Sequence, residues 1–217
     1  MAQKVTRKEL LKKPDEFTAA SERGLNWVRE HQGLSLLVAS CCVLAIIALI
    51  VGKMIYSSYE EKKRLVFQEA ANLAASPDKS NQAVEALKAF INRYGGSDLD
   101  PLARISLARL YFENGQYDKA LGQYESALPG VGSQPEIKPL TTLGLAFCYE
   151  VKGSEQKAID ALLSIKDDPA NYLQEEVLFQ LARLYRDTGA LDKAKAAGEE
   201  LVKRFPSSPY LALATQR

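Results

Sequence analysis

The sequence predicts an all-α protein in which a single N-terminal transmembrane helix precedes an α-solenoid of stacked helical hairpins. The solenoid is predicted by three copies of the pattern L-A-x-x-Y-x-x-x-G-x-x-x-x-A, which begin at Leu107, Leu145 and Leu181. Successive copies are about 38 and then about 36 residues apart, a period typical of helical hairpins that stack on one another. The transmembrane helix is predicted by an apolar run without charge at residues 34–51.

Residues 1–33 form a basic N-terminal tail. Residues 5–14 are polar and basic and are predicted to be unstructured, whereas residues 15–31 have the pattern of an amphipathic helix. In that helix Phe17, Leu25 and Trp27 would lie at a membrane surface, where amphipathic aromatic rings are favoured. The alternative is that the region is only a tether, and the sequence favours neither interpretation.

Residues 34–56 are predicted to cross a membrane. A helix of residues 34–51 is ~27 Å long at ~1.5 Å per residue, against a hydrocarbon core of ~30 Å. Residues 54–56 complete the span if Lys53 extends its amine to the interface. A cleaved signal peptide is the competing interpretation, but residues 1–33 precede the run and no small-x-small cleavage site follows it.

The charges around this segment do not decide its orientation. The basic residues of the tail, which favour a cytoplasmic N terminus, are Lys4, Arg7, Lys8, Lys12, Lys13, Arg23 and Arg29. Close to the membrane the balance reverses, because Lys and Arg are more frequent at residues 53–64 than at residues 23–33. A folded domain after the segment is translocated largely regardless of nearby charge. We therefore expect the N terminus to be cytoplasmic.

Residues 57–217 are predicted to form the repeat domain, in which each position of the pattern has a structural role. The small residue that lets two helices approach, with a tyrosine three positions later beside it, is at Ala108, Ala146 and Ala182. The glycines that end the first helices in a left-handed conformation are Gly115, Gly153 and Gly189. Each second helix begins its contact face with Ala120, Ala158 or Ala194, and Tyr124 and Leu162 fill the larger space.

A degenerate first repeat is predicted at residues 65–94. Residues 56–75 contain neither Gly nor Pro, so we expect the membrane helix to continue into the first helix of the domain. The residues expected to correspond to Ala120, Tyr124 and Ala127 in this repeat are Ala83, Leu87 and Phe90.

Three further segments carry signals for helix ends and loops. We expect Asp100 to cap a helix that has Pro101 at its first position. Residues 129–135, with two prolines and two glycines, are expected to form the one long loop. Residues 210–217 are expected to form only a partial cap on the last repeat.

The pattern resembles the tetratricopeptide repeat, and the resemblance includes Pro206, which follows Ala182 at the distance where that family closes its repeat. There are departures. The usual tryptophan position is occupied by Arg104, Thr142 and Leu178, and Gly198 replaces the large residue of the last second helix. The resemblance implies stacked hairpins that bind other proteins.

Composition and residue types argue against catalysis and against nucleic acid. The 28 Lys and Arg are balanced by 27 Asp and Glu, without the basic face that phosphate polymers require. His31 is the only histidine, and the three cysteines are Cys41 and Cys42 in the apolar run and Cys148 in a predicted helix. Because no nucleophile with a base, phosphate loop or metal set is recognisable, we expect no enzyme activity, no cofactor, no metal and no small-molecule substrate.

In the family resembled, the concave groove is lined by fixed positions of each first helix. Carried onto this sequence, these positions form a stripe that we call the groove stripe: Leu102, Ile105, Arg109, Phe112, Leu140, Leu143, Phe147, Glu150, Glu176, Phe179, Arg183 and Arg186. Its first two thirds are largely apolar, which predicts binding of an extended peptide or an amphipathic helix. The alternative is that several members point into the hairpin core or are covered by the C-terminal segment.

The layout as a whole resembles a particular subgroup. A juxtamembrane helix, one span and a helix leading directly into degenerate repeats (WVREHQGLSLLVAS…GKMIYSSYEEKKRLVFQEA) are similar to the YfgM-type ancillary subunit of the bacterial SecYEG translocon. That resemblance implies an inner-membrane scaffold with periplasmic repeats, whose partners are membrane lipid, translocon components and a membrane-anchored periplasmic chaperone. The alternative is a structural scaffold of another envelope complex, such as cell-division or outer-membrane assembly machinery.

Overall fold

The computed structural model describes residues 16–132 and 134–211, and the regular elements in these ranges are helical. In chain order they are α1 (Glu16–Glu30), α2 (Gln32–Ala74), α3 (Ser80–Tyr94), α4 (Asp100–Glu113), α5 (Tyr117–Val131), α6 (Lys138–Val151), α7 (Glu155–Leu163), α8 (Gln174–Asp187) and α9 (Leu191–Arg204). Short 3₁₀ turns at Pro77–Lys79 and Pro135–Ile137 precede α3 and α6. The chain divides into two compact units, Met1–Glu60 and Glu61–Arg217.

The first unit contains α1 and the apolar part of α2. Within the described residues, α2 is the helix long and apolar enough to cross a membrane. The helix predicted at residues 15–31 is confirmed by α1, on which Leu25 and Trp27 are exposed. The tail at residues 5–14 and the side chain of Phe17 lie outside what the structure describes.

In the second unit, the C-terminal part of α2 is the first helix of a solenoid. The prediction that the apolar helix continues into this domain is confirmed, since α2 has no break before Ala74. Phe67 on α2 contacts Phe90 on α3 with ring centroids 5.4 Å apart, and this contact forms the degenerate first hairpin. The hairpins α4–α5, α6–α7 and α8–α9 follow.

The predicted core positions are confirmed with one exception, because Ala194 on α9 is only partly buried. The small residues Ala108, Ala146 and Ala182 are buried between helices, as are the second-helix residues Ala120, Tyr124, Ala158 and Leu162. In the first hairpin the corresponding residues Ala83, Leu87 and Phe90 are completely buried. Cys148 is also buried, in the core formed by the first hairpins. The apolar faces thus meet in a continuous core, as a repeat solenoid requires.

The three repeat glycines end their helices in the same way. Gly115, Gly153 and Gly189 have φ of 72°, 68° and 78°. In each case the amide after the glycine donates to the carbonyl of the repeat tyrosine, at 2.8, 2.8 and 2.7 Å. This bond is one half of a Schellman motif, and the glycine amide supplies the other half by donating to the carbonyl three residues before it.

Two expectations about helix ends are wrong. Asp100 does not cap α4 but is its first residue, and its Oδ2 accepts a hydrogen bond from Arg104 Nε at 3.1 Å instead. The segment at residues 129–135 is not one long loop, because α5 continues through Pro129 to Val131. Val131 is buried, and the packing of this last turn keeps it helical.

Polar contacts one repeat apart connect successive hairpins. Lys63 of α2 is 3% exposed, and its Nζ donates to Asp98 Oδ1 at 2.5 Å. Further contacts of this kind include those that join Ser80 with Asn114, Asp118 with Lys152, Glu150 with Arg183, and Lys166 with Glu200. Each pair joins one hairpin to the next, so neighbouring repeats are held in register by polar groups as well as by the core.

Replacing Gly153 with valine is expected to lower the free energy of unfolding. A β-branched residue at φ 68° is strained by ~1–2 kcal/mol or more. The matched control is Gly122→Ala inside α5, where an added Cβ meets no atom within 4 Å and should gain ~0.5–1 kcal/mol. Denaturant unfolding of both variants measures the difference, and equal midpoints would contradict the role given to Gly153.

The ion pair between Lys63 and Asp98 is expected to make stability depend on pH. The hydrogen bond from Lys63 lowers the pKa of Asp98 below its ordinary value. Because the folded pKa is the lower one, the stabilisation is complete above the unfolded pKa of ~4 and is lost as pH falls through the folded pKa. Asp98→Asn should therefore be less stable than the parent at pH 7, with a gap that narrows below pH ~4. A gap that stays constant from pH 7 to pH 3 would contradict this.

Candidate protein-binding site

Five of the twelve groove-stripe residues surround one cleft between two successive first helices. Arg109 and Phe112 come from α4, and Leu140, Leu143 and Phe147 come from α6. The cleft has a volume of 360 Å³, near the lower end of the ~300–1,000 Å³ usual for ligand pockets. Its other lining residues are Glu113, Tyr124 and Gly144, which the groove stripe did not include.

The walls differ in how much they contribute to the core. Leu140 is 42% exposed, whereas Phe112 and Phe147 are partly buried and pack against the core from the cleft side. Ile105 and Leu143 are buried, so the alternative that some stripe positions point into the hairpin core is correct for these two. Leu102 is partly buried against the same core. The apolar surface open to a partner is therefore centred on Leu140, Phe112 and Phe147.

The floor of the cleft is formed by Tyr124 and Gly144. A Cβ on Gly144 would lie 2.3 Å from Tyr124 Cζ, so only glycine lets the ring rest directly on the α6 backbone. The other two repeats have Ser106 and Gln180 at this position. Glycine in the interior of a helix signals a close approach, and this signal could have been recognised from the sequence.

The hydroxyl of Tyr124 has no hydrogen-bond partner among the residues that the structure describes. The side chain is 7% exposed and lines the cleft together with Phe112 and Phe147. Burial raises the pKa of Tyr124 to about 12. The hydroxyl is therefore neutral across the physiological range.

One ion pair forms the rim. Arg109 Nη1 donates to Glu113 Oε1 at 2.8 Å, and both side chains are about half exposed. Arg109 Nη2 also donates to the backbone carbonyl of Ala74 at 3.2 Å, which holds the guanidinium in place. The rim thus carries one charge of each sign.

The rest of the groove stripe does not reach this cleft. Arg183 on α8 donates from Nη1 and Nη2 to the two carboxylate oxygens of Glu150 on α6, both at 2.6 Å. Phe179 stacks on Tyr210 with ring centroids 4.7 Å apart, so Tyr210 covers this part of the stripe. Glu176 accepts a hydrogen bond from the Tyr210 hydroxyl, which raises the pKa of that tyrosine to about 12. Arg186 lies on the same helix and is partly buried.

The residues with reactive or metal-binding side chains are dispersed or buried. Within residues 16–132 and 134–211, no group of three or more His, Cys, Asp and Glu side chains is placed to hold a metal ion. Burial raises the pKa of the Cys148 thiol to about 11, so the thiolate is not populated near neutral pH.

A solenoid of antiparallel helical hairpins with an apolar cleft on its first-helix face defines a helical repeat protein of the protein-binding kind. A family model described as a tetratricopeptide repeat-like domain matches residues 26–206, and the chain belongs to this family. Domains of this fold are protein-interaction scaffolds without catalytic machinery of their own. No curated protein matches the sequence.

Solved structures share the fold at low identity. A tetratricopeptide repeat protein from Parabacteroides merdae ATCC 43184 has a TM-score of 0.61 and 18% identity, over 71% of this chain and 57% of its own. MamA has a TM-score of 0.57 and 18% identity, over 71% of this chain and 81% of the MamA chain. A chain of the Cut9–Hcn1 heterotetramer of the APC/C has a TM-score of 0.52 and 20% identity, over 64% of this chain and 27% of its own length. This chain thus spans a little over half of the Parabacteroides protein, and identities this low establish the fold alone.

Proposed function

We propose that this protein is a single-pass scaffold of the bacterial inner membrane whose repeats bind other proteins at the translocon or in the periplasmic chaperone network. The observation that carries the proposal is that α2 joins an exposed apolar segment to a tetratricopeptide repeat-like domain with an open apolar cleft. One part anchors the chain in lipid, and the other binds protein partners.

The exposure of α2 supports the anchor. None of its most apolar 18-residue window is buried, and Leu36, Leu44 and Leu49 are each more than 60% exposed. Apolar side chains in water cost ~25 cal/mol per Å² relative to burial, and a continuous exposed patch of this length favours insertion into lipid. The family match begins at residue 26, before α2, so the apolar segment lies inside the region that the family model describes.

The proposed topology has a cytoplasmic N terminus and periplasmic repeats. It rests on the basic tail, on the folded domain after the segment and on the resemblance to the translocon subunit. In the same arrangement α1, with Leu25 and Trp27 exposed, would lie along the cytoplasmic membrane surface.

The proposed binding surface is the open part of the groove stripe, which is the cleft between α4 and α6. Leu140, Phe112 and Phe147 offer an apolar contact in a solvent-accessible position, which is where interface anchors usually bind. A partner in another envelope complex would use the same surface. Identification of the bound protein distinguishes a translocon role from a role in that other complex.

Crosslinking in native membranes is expected to place a partner at the cleft. A photoreactive p-benzoylphenylalanine at Leu140 should give a crosslinked product that mass spectrometry identifies as a translocon component or a membrane-anchored chaperone. The matched control is the same residue at Leu163 on the second helix α7, which is 45% exposed. A cell-division or outer-membrane assembly protein at Leu140 would support the alternative partner, and equal yields at both positions would contradict binding at the cleft.

Labelling of an introduced cysteine is expected to show the repeats outside the cytoplasm. Ser164 is exposed beyond the end of α7, so Ser164→Cys should react with a membrane-impermeant maleimide in intact spheroplasts. The unsubstituted chain is the background control, because its only cysteine in the described part of the repeat domain, Cys148, is buried. Labelling that requires detergent would place the repeats in the cytoplasm and remove the translocon role.

A further inference from the structure

The groove stripe continues from the open cleft to α8, where its chemistry changes. The repeat register places six residues of α6 and α8 at positions that line the open cleft one repeat earlier. We call these six residues the closed segment: Phe147, Glu150, Glu176, Phe179, Gln180 and Arg183. Glu150 stands at the position of Phe112, and Glu176 stands at the position of Leu140. The closed segment is therefore polar where the open cleft is apolar.

The four polar members of the closed segment form one chain of hydrogen bonds. Arg183 donates from Nη1 and Nη2 to the carboxylate of Glu150, both at 2.6 Å. Its Nε and Nη2 also donate to Gln180 Oε1, at 3.0 and 2.7 Å. Gln180 is 8% exposed, and its Nε2 donates to Glu176 Oε1 at 2.6 Å. The chain thus crosses from α6 to α8 and continues along α8.

Tyr210 extends this chain and covers the apolar residue that α8 contributes to the closed segment. Its hydroxyl donates to Glu176, the last member of the chain. Its ring lies on Phe179, with ring centroids 4.7 Å apart and an angle of 15° between the planes. One side chain therefore covers Phe179 and is connected through hydrogen bonds to the ion pair between α6 and α8.

We propose that Tyr210 is an intramolecular latch, which together with the polar chain keeps the closed segment unavailable to partners, and that its release extends the protein-binding surface from the open cleft to α8. This inference rests on the proposed function, because it concerns the regulation of the same surface. Its central statement, that Tyr210 and Glu150 are coupled, is tested without a partner.

The latch can open without unfolding a helix of the solenoid. Helix α9 ends at Arg204, and Tyr210 follows a segment of turns. These turns are held by local bonds, in which the Ser208 amide donates to the Phe205 carbonyl at 3.0 Å and the Tyr210 amide donates to Ser208 Oγ at 3.1 Å. Segments of this kind open at a lower free energy than core helices. Movement of Tyr210 therefore uncovers Phe179 while the core stays packed.

The hydrogen-bond chain makes the two ends of the latch interdependent. Glu176 accepts from both Tyr210 and Gln180, and Gln180 in turn orients Arg183. Successive hydrogen bonds polarise and strengthen one another. Loss of the Tyr210 bond therefore weakens the hold of Arg183 on Glu150. Because coupling between two sites is reciprocal, a change at Glu150 must also favour release of Tyr210.

Fluorine NMR of the full chain in dodecyl maltoside micelles tests this coupling, with 4-fluorophenylalanine in place of Phe179. Tyr210→Ala gives the resonance of the uncovered ring. Tyr210→Phe removes only the hydroxyl, and Glu150→Gln changes only the far end of the chain. Both should move the resonance toward the Tyr210→Ala position, with a released fraction about threefold or more above that of the parent, as expected for one weakened hydrogen bond.

Two further variants complete the test. Glu113→Gln is the matched control, because Glu113 also pairs with an arginine, Arg109, but belongs to the open cleft, and it should leave the resonance unchanged. Gln180→Met removes the middle of the chain and should act as Glu150→Gln does. Melting curves identify the folded variants. If the folded Glu150→Gln and Gln180→Met chains keep the parent resonance, or if Tyr210→Ala does, the inference is overturned.

Crosslinking in native membranes separates failure of the latch from failure of the proposed function. With p-benzoylphenylalanine in place of Phe179, the Tyr210→Ala chain should capture the protein that is captured at Leu140, in a yield several-fold above that of the chain with Tyr210. Equal yields would overturn the latch and leave the proposed function intact. Absence of any crosslink at Leu140 would remove the proposed function, and the fluorine resonances would still decide whether Tyr210 and Glu150 are coupled.

Discussion

Three of the four hairpins in the described part of the chain depend on a first helix that ends and reverses its direction at one glycine. In three repeats the left-handed glycine places the following amide on the carbonyl of the tyrosine that packs beside the small alanine. The same tyrosine therefore takes part in the helix-helix contact and in the turn that creates it. Since the second helix can pack antiparallel only after this reversal, the core, the spacing of the hairpins and the cleft all follow from it.

The stacking of hairpins uses a second set of interactions. Polar side chains one repeat apart, such as Lys63 with Asp98 and Arg183 with Glu150, connect each hairpin to the next. In a solenoid each repeat contacts only its neighbours, so these local contacts determine how one repeat is placed on another. Lys63 is the most buried of these groups, and its ion pair with Asp98 connects the end of α2 to the next hairpin.

The parts of the fold that local sequence determines could be predicted, and those that depend on distant packing could not. The hairpins, the glycine turns and the continuation of α2 follow from periodicity and from helix-breaking residues. The end of α5 does not, because Pro129 and Gly130 remain helical where the turn packs on Pro101, whose Cγ would lie 2.4 Å from a Cβ on Gly130. In the cleft, the positions of Leu140 and Phe147 were predictable from the repeat register. The floor was not, because it depends on the contact between the Tyr124 ring and the α6 backbone at Gly144.

Because part of the groove stripe is closed, a partner would have few places to bind, and this affects how long it stays bound. Glu150 and Arg183 satisfy each other, and Tyr210 covers Phe179, so a bound segment would meet an open apolar contact mainly between α4 and α6. Attachment at one point lacks the gain in avidity that several linked contacts give. Affinity differences between related complexes reside mostly in their dissociation rates. A surface built in this way favours brief encounters and rapid exchange between competing segments over permanent assembly.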